Sequence, residues 1–394
     1  MMDVAALRAD TPGCAHRIHL NNAGASLMPS PVVAAVQGHI ALEANIGGYE
    51  AAAEAAPAIE GAYTAVADLL GTRPRNVAFT EHATAAFVQA LSAMPFERGD
   101  ALVTTRCDYV SNQIQYLSLA DRLGIEVLRA PDVPEGGVDL QAMEELIHRR
   151  RPRVVAVTHV PTNSGLVQDV AAVGAMCRAR DILYLVDACQ SVGQMPVRPD
   201  AIGCDFLSAT ARKFLRGPRG AGCLWVSDRA LEAGLQPLFP DLRGADWIDG
   251  DLFQPAPDAR RFETWEFAWA LVLGTGAAAR YASSVGLSRI EERVGGLADD
   301  LRQRLASVDG VTVLDRGTRL AGIVTVSMEG RQPRDLVVSL RERGINTSSQ
   351  TRMDAVLDYD AKGVDGALRI SPHYFNTAQE IDLVVDALGE IGPA

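Results

Sequence analysis

Ile182-Leu183-Tyr184-Leu185-Val186-Asp187-Ala188-Cys189-Gln190-Ser191 opens as an apolar run of strand length and ends in a carboxylate followed by small and polar residues. Apolar side chains at successive rather than alternate positions predict a strand buried on both faces, as in a parallel sheet covered by helices. A carboxylate leaving such a strand needs a cation or hydrogen-bond donors, or it takes up a proton. Similar runs flank it on both sides: V-V-A-V-T-H-V within residues 153–160, then 222–226, with shorter ones at 77–80 and 101–105. Helical apolar spacing fills the intervals, as at 63–70 and at 140–147 behind Asp139, a cap residue. Strands alternating with helices of this length predict βαβ units and a mostly parallel sheet.

Near residue 255 the texture changes. Gln254 to Asp258, Q-P-A-P-D, reads as a linker, and long helical patterns follow at 268–281 and 290–305. Antiparallel-type strands are expected at 311–314, 323–327 and 367–371, with a helix at 333–343. The last helix opens with a capping box, Thr377 and Glu380, and carries Ile381, Val384, Val385 and Leu388 on one stripe. The expected organisation is α/β: an N-terminal arm over 1–30, a large domain over 31–255 and a smaller α+β domain over 256–394. A chain of 394 residues is long enough for two domains.

The formal charge of −12 argues against a nucleic-acid footprint or an anionic membrane surface, both of which need concentrated cations. No apolar run has bilayer-spanning length, and M-M-D-V-A-A-L-R-A-D is no secretory leader, so a cytoplasmic protein is expected. Six cysteines without C-x-x-C spacing predict reduced thiols, not a disulfide framework or a zinc site, and no metal is expected.

In an open parallel sheet, ligands bind at the carboxyl ends of the strands. Four such ends here are polar: E-H-A-T at 81–84, T-H-V-P-T-N-S-G at 158–165, Asp187 to Ser191, and S-A-T-A-R-K at 208–213, which a G-P-R-G turn follows. Of 37 basic residues only two are lysines, Lys213 and Lys362. An amine kept amid arginines can do what guanidinium cannot: deprotonate, attack a carbonyl and form a Schiff base. Lys362 reads as a surface-loop residue. Pyridoxal phosphate needs an amine to hold it, a carboxylate at its ring nitrogen and an anion site for its phosphate. Lys213, Asp187 and the helix start at Ala83 and Thr84, with Thr210 and Arg212, match those needs.

With these residues the chain resembles the fold-type I, class V aminotransferase-like enzymes, a group that includes cysteine desulfurases, isopenicillin N epimerase-like proteins and C–S lyases. The likeness runs from L-N-N-A-G at 20–24 to L-R-I-S-P-H-Y-F-N-T at 368–377. The resemblance implies the PLP-transferase fold, with a seven-stranded, mostly parallel sheet in the large domain, and a homodimer. It implies Lys213 as the Schiff-base lysine, Asp187 on the pyridine nitrogen and Gln190 on the ring hydroxyl. Ala83, Thr84, Thr210 and Arg212 hold the phosphate, Thr162 or Asn163 lines the ring and substrate, and Arg369 grips the substrate carboxylate. Asn22 and Ala23 complete the substrate-side set, and Tyr109 or Val110 stands where desulfurases stack a histidine. One departure bears on function: desulfurases need a sulfur-accepting cysteine on a small-domain loop, and residues 345–354, I-N-T-S-S-Q-T-R-M-D, contain none. The expected function is therefore C–S β-elimination on a small cysteine-derived amino acid, with transamination or epimerisation as alternatives and a catalytically idle binding protein as a third.

Overall fold

Residues 2–394 are described by the structure, a computed structural model. Seven strands form the large sheet: β1 (Val77–Thr80), β2 (Ala101–Thr105), β3 (Glu126–Ala130), β4 (Val154–Thr158), β5 (Leu183–Asp187), β6 (Phe206–Thr210) and β7 (Gly222–Val226). Their order is β1-β7-β6-β5-β4-β2-β3, and only β7 runs antiparallel to its neighbours. Every residue of β2, β4, β6 and β7 is buried. The two faces feed separate cores: Val155, Val157, Tyr184 and Val186 on one, Val154, Ala156, Leu185 and Phe206 on the other. That is the physical content of the unbroken apolar runs, because a period of two with apolar side chains on both faces leaves neither face for water.

Helices cover both faces: α1 (Ser30–Ile46), α2 (Ala56–Leu70), α3 (Ala83–Ser92), α4 (Val110–Leu123), α5 (Leu140–Arg150) and α6 (Val170–Arg178). Asp139 and Asp169 cap α5 and α6 by accepting from the N–H groups of Ala142 and Ala172. The helix α7 (Trp269–Val285) lies in the stretch read as C-terminal, yet it packs on α1 and α2, and its Val272, Ala278 and Ala282 join the same core as Ala62 and Tyr63. The proline-rich stretch at 254–258 is not a bare linker: Gln254 and Pro255 belong to a hairpin, Ala245–Asp249 with Leu252–Pro255.

From α8 (Leu287–Leu305) onward the chain packs around a second sheet of antiparallel strands, β8 (Val311–Val313), β9 (Val324–Met328), β10 (Ser348–Thr351) and β11 (Gly366–Ile370), in the order β8-β9-β11-β10. Its core joins α8, α9 (Pro333–Glu342) and α11 (Ala378–Ile391) through Leu301, Leu305, Leu336, Leu340, Ile381 and Leu388. The expected capping box at Thr377 and Glu380 is present. The short helix α10 (Val356–Lys362) carries Lys362 with its side chain 3% exposed and paired to Asp358 at 2.7 Å, so this residue ends a helix with its side chain buried rather than standing on a surface loop. The N-terminal arm reaches this lobe as well, since Ile18–His19 pairs in parallel with Ile345–Asn346. No helix among the described residues is long and apolar enough to cross a membrane.

Candidate active site

The register Thr158, Asp187, Ser208 aligns the carboxyl ends of β4, β5 and β6 along one edge of the sheet. A cavity of about 310 Å³ opens there. Ala83, Thr84, Tyr109, Thr162, Asp187, Gln190, Thr210, Arg212 and Lys213 all line it, joined by His82, Thr158, Val160, Cys189, Arg219 and Gly220.

Lys213 follows β6 in a tight turn, and Arg216 closes that turn by donating its N–H to the carbonyl of Lys213 at 2.9 Å, with a left-handed φ of 62°. The Arg216 guanidinium is buried and donates to Leu27 O, Thr11 Oγ1 and the Tyr374 hydroxyl, fastening the lysine turn to the N-terminal arm and to the C-terminal lobe. Gly193 lets the turn after β5 press against this one: a Cβ there would stand 2.3 Å from Leu215 N. Lys213 itself is buried and makes no ion pair among the described residues. Burial lowers its pKa from the ordinary lysine range, Cys189 and Asp187 oppose this, and Arg212 and Arg369 add to it.

Asp187 accepts from Cys189 N at 2.9 Å and from Asn112 Nδ2 at 3.1 Å, so donors rather than a cation meet the need read from the sequence. Asn112, on the first turn of α4, also donates to Asp108, a buried carboxylate tied to Thr104, Thr158 and Gln113. Sequence reading missed this support, because nothing in an isolated asparagine marks it. Tyr109, just before α4, stands beside the amine, with Lys213 Nζ 5.8 Å from its ring centroid.

The first turn of α3 faces the same space. His82 caps it through Nδ1, accepting from Ala85 N at 3.0 Å, and the N–H groups of Ala83 and Thr84 are left without protein acceptors among the described residues. Gly222 permits this approach, since a Cβ there would meet Ala83 N at 2.7 Å. Arg212 and Arg219 lie nearby with no carboxylate in ion-pair range among the described residues, and burial, with Arg219 adding to it, lowers the Arg212 pKa. Two unneutralised guanidinium groups at a helix N-terminus form a site for a multiply charged anion. Gln190 donates to Ala23 O and Thr162 Oγ1, while its Oε1 is buried without a donor, an open place for a ligand hydroxyl. An amine, a carboxylate, an anion cradle and an unpaired acceptor on one wall fit pyridoxal phosphate. Among the described residues no group of three or more His, Cys, Asp or Glu is placed to hold a metal ion.

Four expected residues stand elsewhere. Asn163 turns away: its Nδ2 donates to Asp358 at 2.7 Å, so of the pair Thr162 or Asn163 only Thr162 faces the cavity. The Asn22 amide is spent on His19 O and the Ser26 hydroxyl within the arm and on Ser371 O of the C-terminal lobe, and Ala23 contributes its carbonyl to Gln190 rather than its side chain. Arg369, on β11, sits one layer behind, donating to Thr162 Oγ1 at 2.5 Å, Thr162 O at 3.2 Å and Ser348 Oγ at 3.1 Å. All these acceptors are neutral, and burial lowers the Arg369 pKa to about 10. His82 also lines the cavity, whereas His373, within the 368–377 stretch, is buried with its ring on Phe214 O.

The family model for aminotransferase class-V matches residues 18–384. Among curated proteins, a probable cysteine desulfurase of Methanothermobacter thermautotrophicus is 29% identical over 98% of this chain and 97% of its own length. A probable hercynylcysteine sulfoxide lyase of Mycobacterium tuberculosis is 29% identical over 94% of this chain and 89% of its own. Among solved structures, the apo cysteine desulfurase of Thermococcus onnurineus superposes with a TM-score of 0.90 at 26% identity, covering 99% of this chain and 98% of that one. The match spans both sheets and every wall of the cavity: the chain belongs to the class V aminotransferase family, as an enzyme whose cofactor is pyridoxal 5'-phosphate.

Proposed function

We propose that this enzyme is a C–S lyase, which eliminates a sulfur substituent from Cβ of a cysteine-derived amino acid to give pyruvate and ammonia, and which passes no sulfur to a cysteine of its own. The observation that carries this reading is the distribution of thiols. No cysteine follows Cys223, and the segment at 345–354, where desulfurases of this family keep the accepting thiol, offers Ser348 to Arg369 instead. Cys189 is the one thiol on the cavity wall among the described residues, and burial holds its pKa well above the ordinary range, leaving it a neutral and weak nucleophile. A relative named as a probable sulfoxide lyase supports the same class of reaction.

Pyridoxal phosphate supplies a carbonyl carbon for the substrate amine and an electron sink for the pair left at Cα. Arg212, Arg219, Thr84, Thr210 and the α3 N–H groups would hold its phosphate. Tyr109 would lie against the ring, Gln190 would meet the ring hydroxyl, and Asp187, oriented by Asn112, would pair with the ring nitrogen. Arg369 exchanges its neutral acceptors for the substrate carboxylate, a charge-assisted and bidentate contact. Lys213 then takes the Cα proton at Nζ; its lowered pKa increases the fraction of free amine able to do so. A homodimer is part of the proposal, supported by a cluster of exposed apolar side chains on the 245–255 hairpin and the stretch before it: Trp247, Leu252 and Phe253 with Leu238 and Phe239. The setting proposed is the cytoplasm.

Holoenzyme incubated with a cysteine S-conjugate or sulfoxide is expected to release pyruvate. Deuterium exchange at Cα with no keto acid formed points to epimerisation instead, and consumption that depends on an added keto acid points to transamination; either result overturns the lyase assignment.

A further inference from the structure

We infer that a second chamber, on the far side of the Thr162–Ser164 turn from the active site, binds a small zwitterion of the α-amino acid class. The chamber measures about 300 Å³ and lies between loops of the large sheet and the C-terminal lobe, lined by Arg106, Asp132, Arg316, Asp358 and Lys362. Its charges are incompletely matched. Lys362 and Asp358 pair at 2.7 Å, and Arg106 stands 3.6 Å from Asp132, a distance too long for a hydrogen bond. Arg316 has no carboxylate in ion-pair range among the described residues. On the other side of the balance, Asp132 Oδ1 is buried with no donor. Burial raises the Asp132 pKa to about 6 although Arg106 opposes it. Asn163, fully buried beside the chamber, gives its Nδ2 to Asp358 and leaves its own Oδ1 without a donor.

The Asp132 carboxyl, partly exposed and with its Oδ1 lacking a donor, and the exposed Arg316 guanidinium, with no carboxylate in range among the described residues, line one chamber and suit a ligand that donates at one end and accepts at the other. A simple anion satisfies Arg316 and leaves Asp132 unpaired; a simple amine does the reverse. An ammonium and a carboxylate on one carbon satisfy both, and the volume suits a small amino acid. The two cavities share a wall. Thr162 faces the active site and accepts from Arg369, Ser164 lines the second chamber, and Asn163 between them is tied to Asp358. Occupancy of the chamber therefore bears on the residue that positions Arg369. This inference is independent of the lyase assignment, because none of its residues belongs to the proposed machinery.

The test uses holoenzyme reduced with borohydride, which blocks the active site while the chain stays folded. Calorimetric titration with glycine, L-alanine and L-cysteine is expected to show one further site per chain, with propionate and propylamine binding at least about tenfold more weakly. Asp132→Asn and Arg316→Gln are each expected to weaken the zwitterions by about tenfold or more. Arg316 is exposed, so that variant is expected to keep the melting temperature of the parent and to separate lost binding from lost folding. No binding to the reduced enzyme, equal binding of the single-charge controls, or undiminished binding by the Arg316 variant overturns the inference.

Discussion

The chain's two lysines line cavities of nearly equal volume, about 310 Å³ for Lys213 and 300 Å³ for Lys362, and both side chains are buried. They differ in the nearest carboxylate. Lys362 holds Asp358 at 2.7 Å, so its charge is compensated and the amine is fixed. Lys213 has no such partner among the described residues, and its ammonium form is disfavoured by burial and by two guanidinium groups. Burial alone does not make an amine reactive; burial without a counter-ion does.

The largest expected effect follows directly. Lys213→Ala should lower pyruvate release by about three orders of magnitude or more, whereas Lys362→Met should leave turnover within a few-fold; parallel assays of the two variants check this. Lys362→Met should instead act on stability, costing about 3 kcal/mol in denaturant unfolding because the largely buried Asp358 loses its counter-ion and keeps only the Asn163 amide. Adding Asp358→Leu should recover most of that loss, since the pair is then replaced by apolar packing.

A third buried base extends the comparison. His159, next to the end of β4, has an unpartnered Nδ1, and burial, with Arg319 adding to it, lowers its pKa from 6.5 to about 4. Between those values the unfolded chain takes up a proton that the folded chain refuses, so stability is lost as pH falls from about 6.5 to about 4, by about 3 kcal/mol in total. His159→Gln should flatten unfolding curves across that window. The smallest effect expected is for Arg369→Ala, about ten- to hundredfold in kcat/KM, carried mainly by KM as a binding contact is removed. Arg369→Lys should recover only part, because an ammonium lacks the fork.

The parallel sheet and its polar strand ends were legible because they rest on local rules: an apolar run marks a doubly covered strand, and a carboxylate, lysine or helix start at its end marks the ligand edge. β3 escaped notice as an edge strand with mixed exposure, and β10 as a polar S-S-Q-T strand held by pairing with β11. Nine of the expected residues line one cavity because strand ends converge in this fold. Asn163 and Thr162 are neighbours that point to opposite sides of one turn, and periodicity carries no information about which faces which chamber. Lys362 read as a loop residue because its partner, Asp358, lies one helical turn away on a seven-residue helix too short to announce itself. The supports of the site, Asn112 beneath Asp187 and Arg216 behind Lys213, depend on contacts across many residues of separation that no local pattern encodes.

The most direct test is a product analysis of one reaction. Holoenzyme given a cysteine-derived substrate, followed by proton NMR, should yield pyruvate, and a Cys189→Ser variant should yield it equally well. Alanine in place of pyruvate, with sulfur carried on the protein and lost in the Cys189→Ser variant, would contradict elimination and make Cys189 the acceptor of a desulfurase.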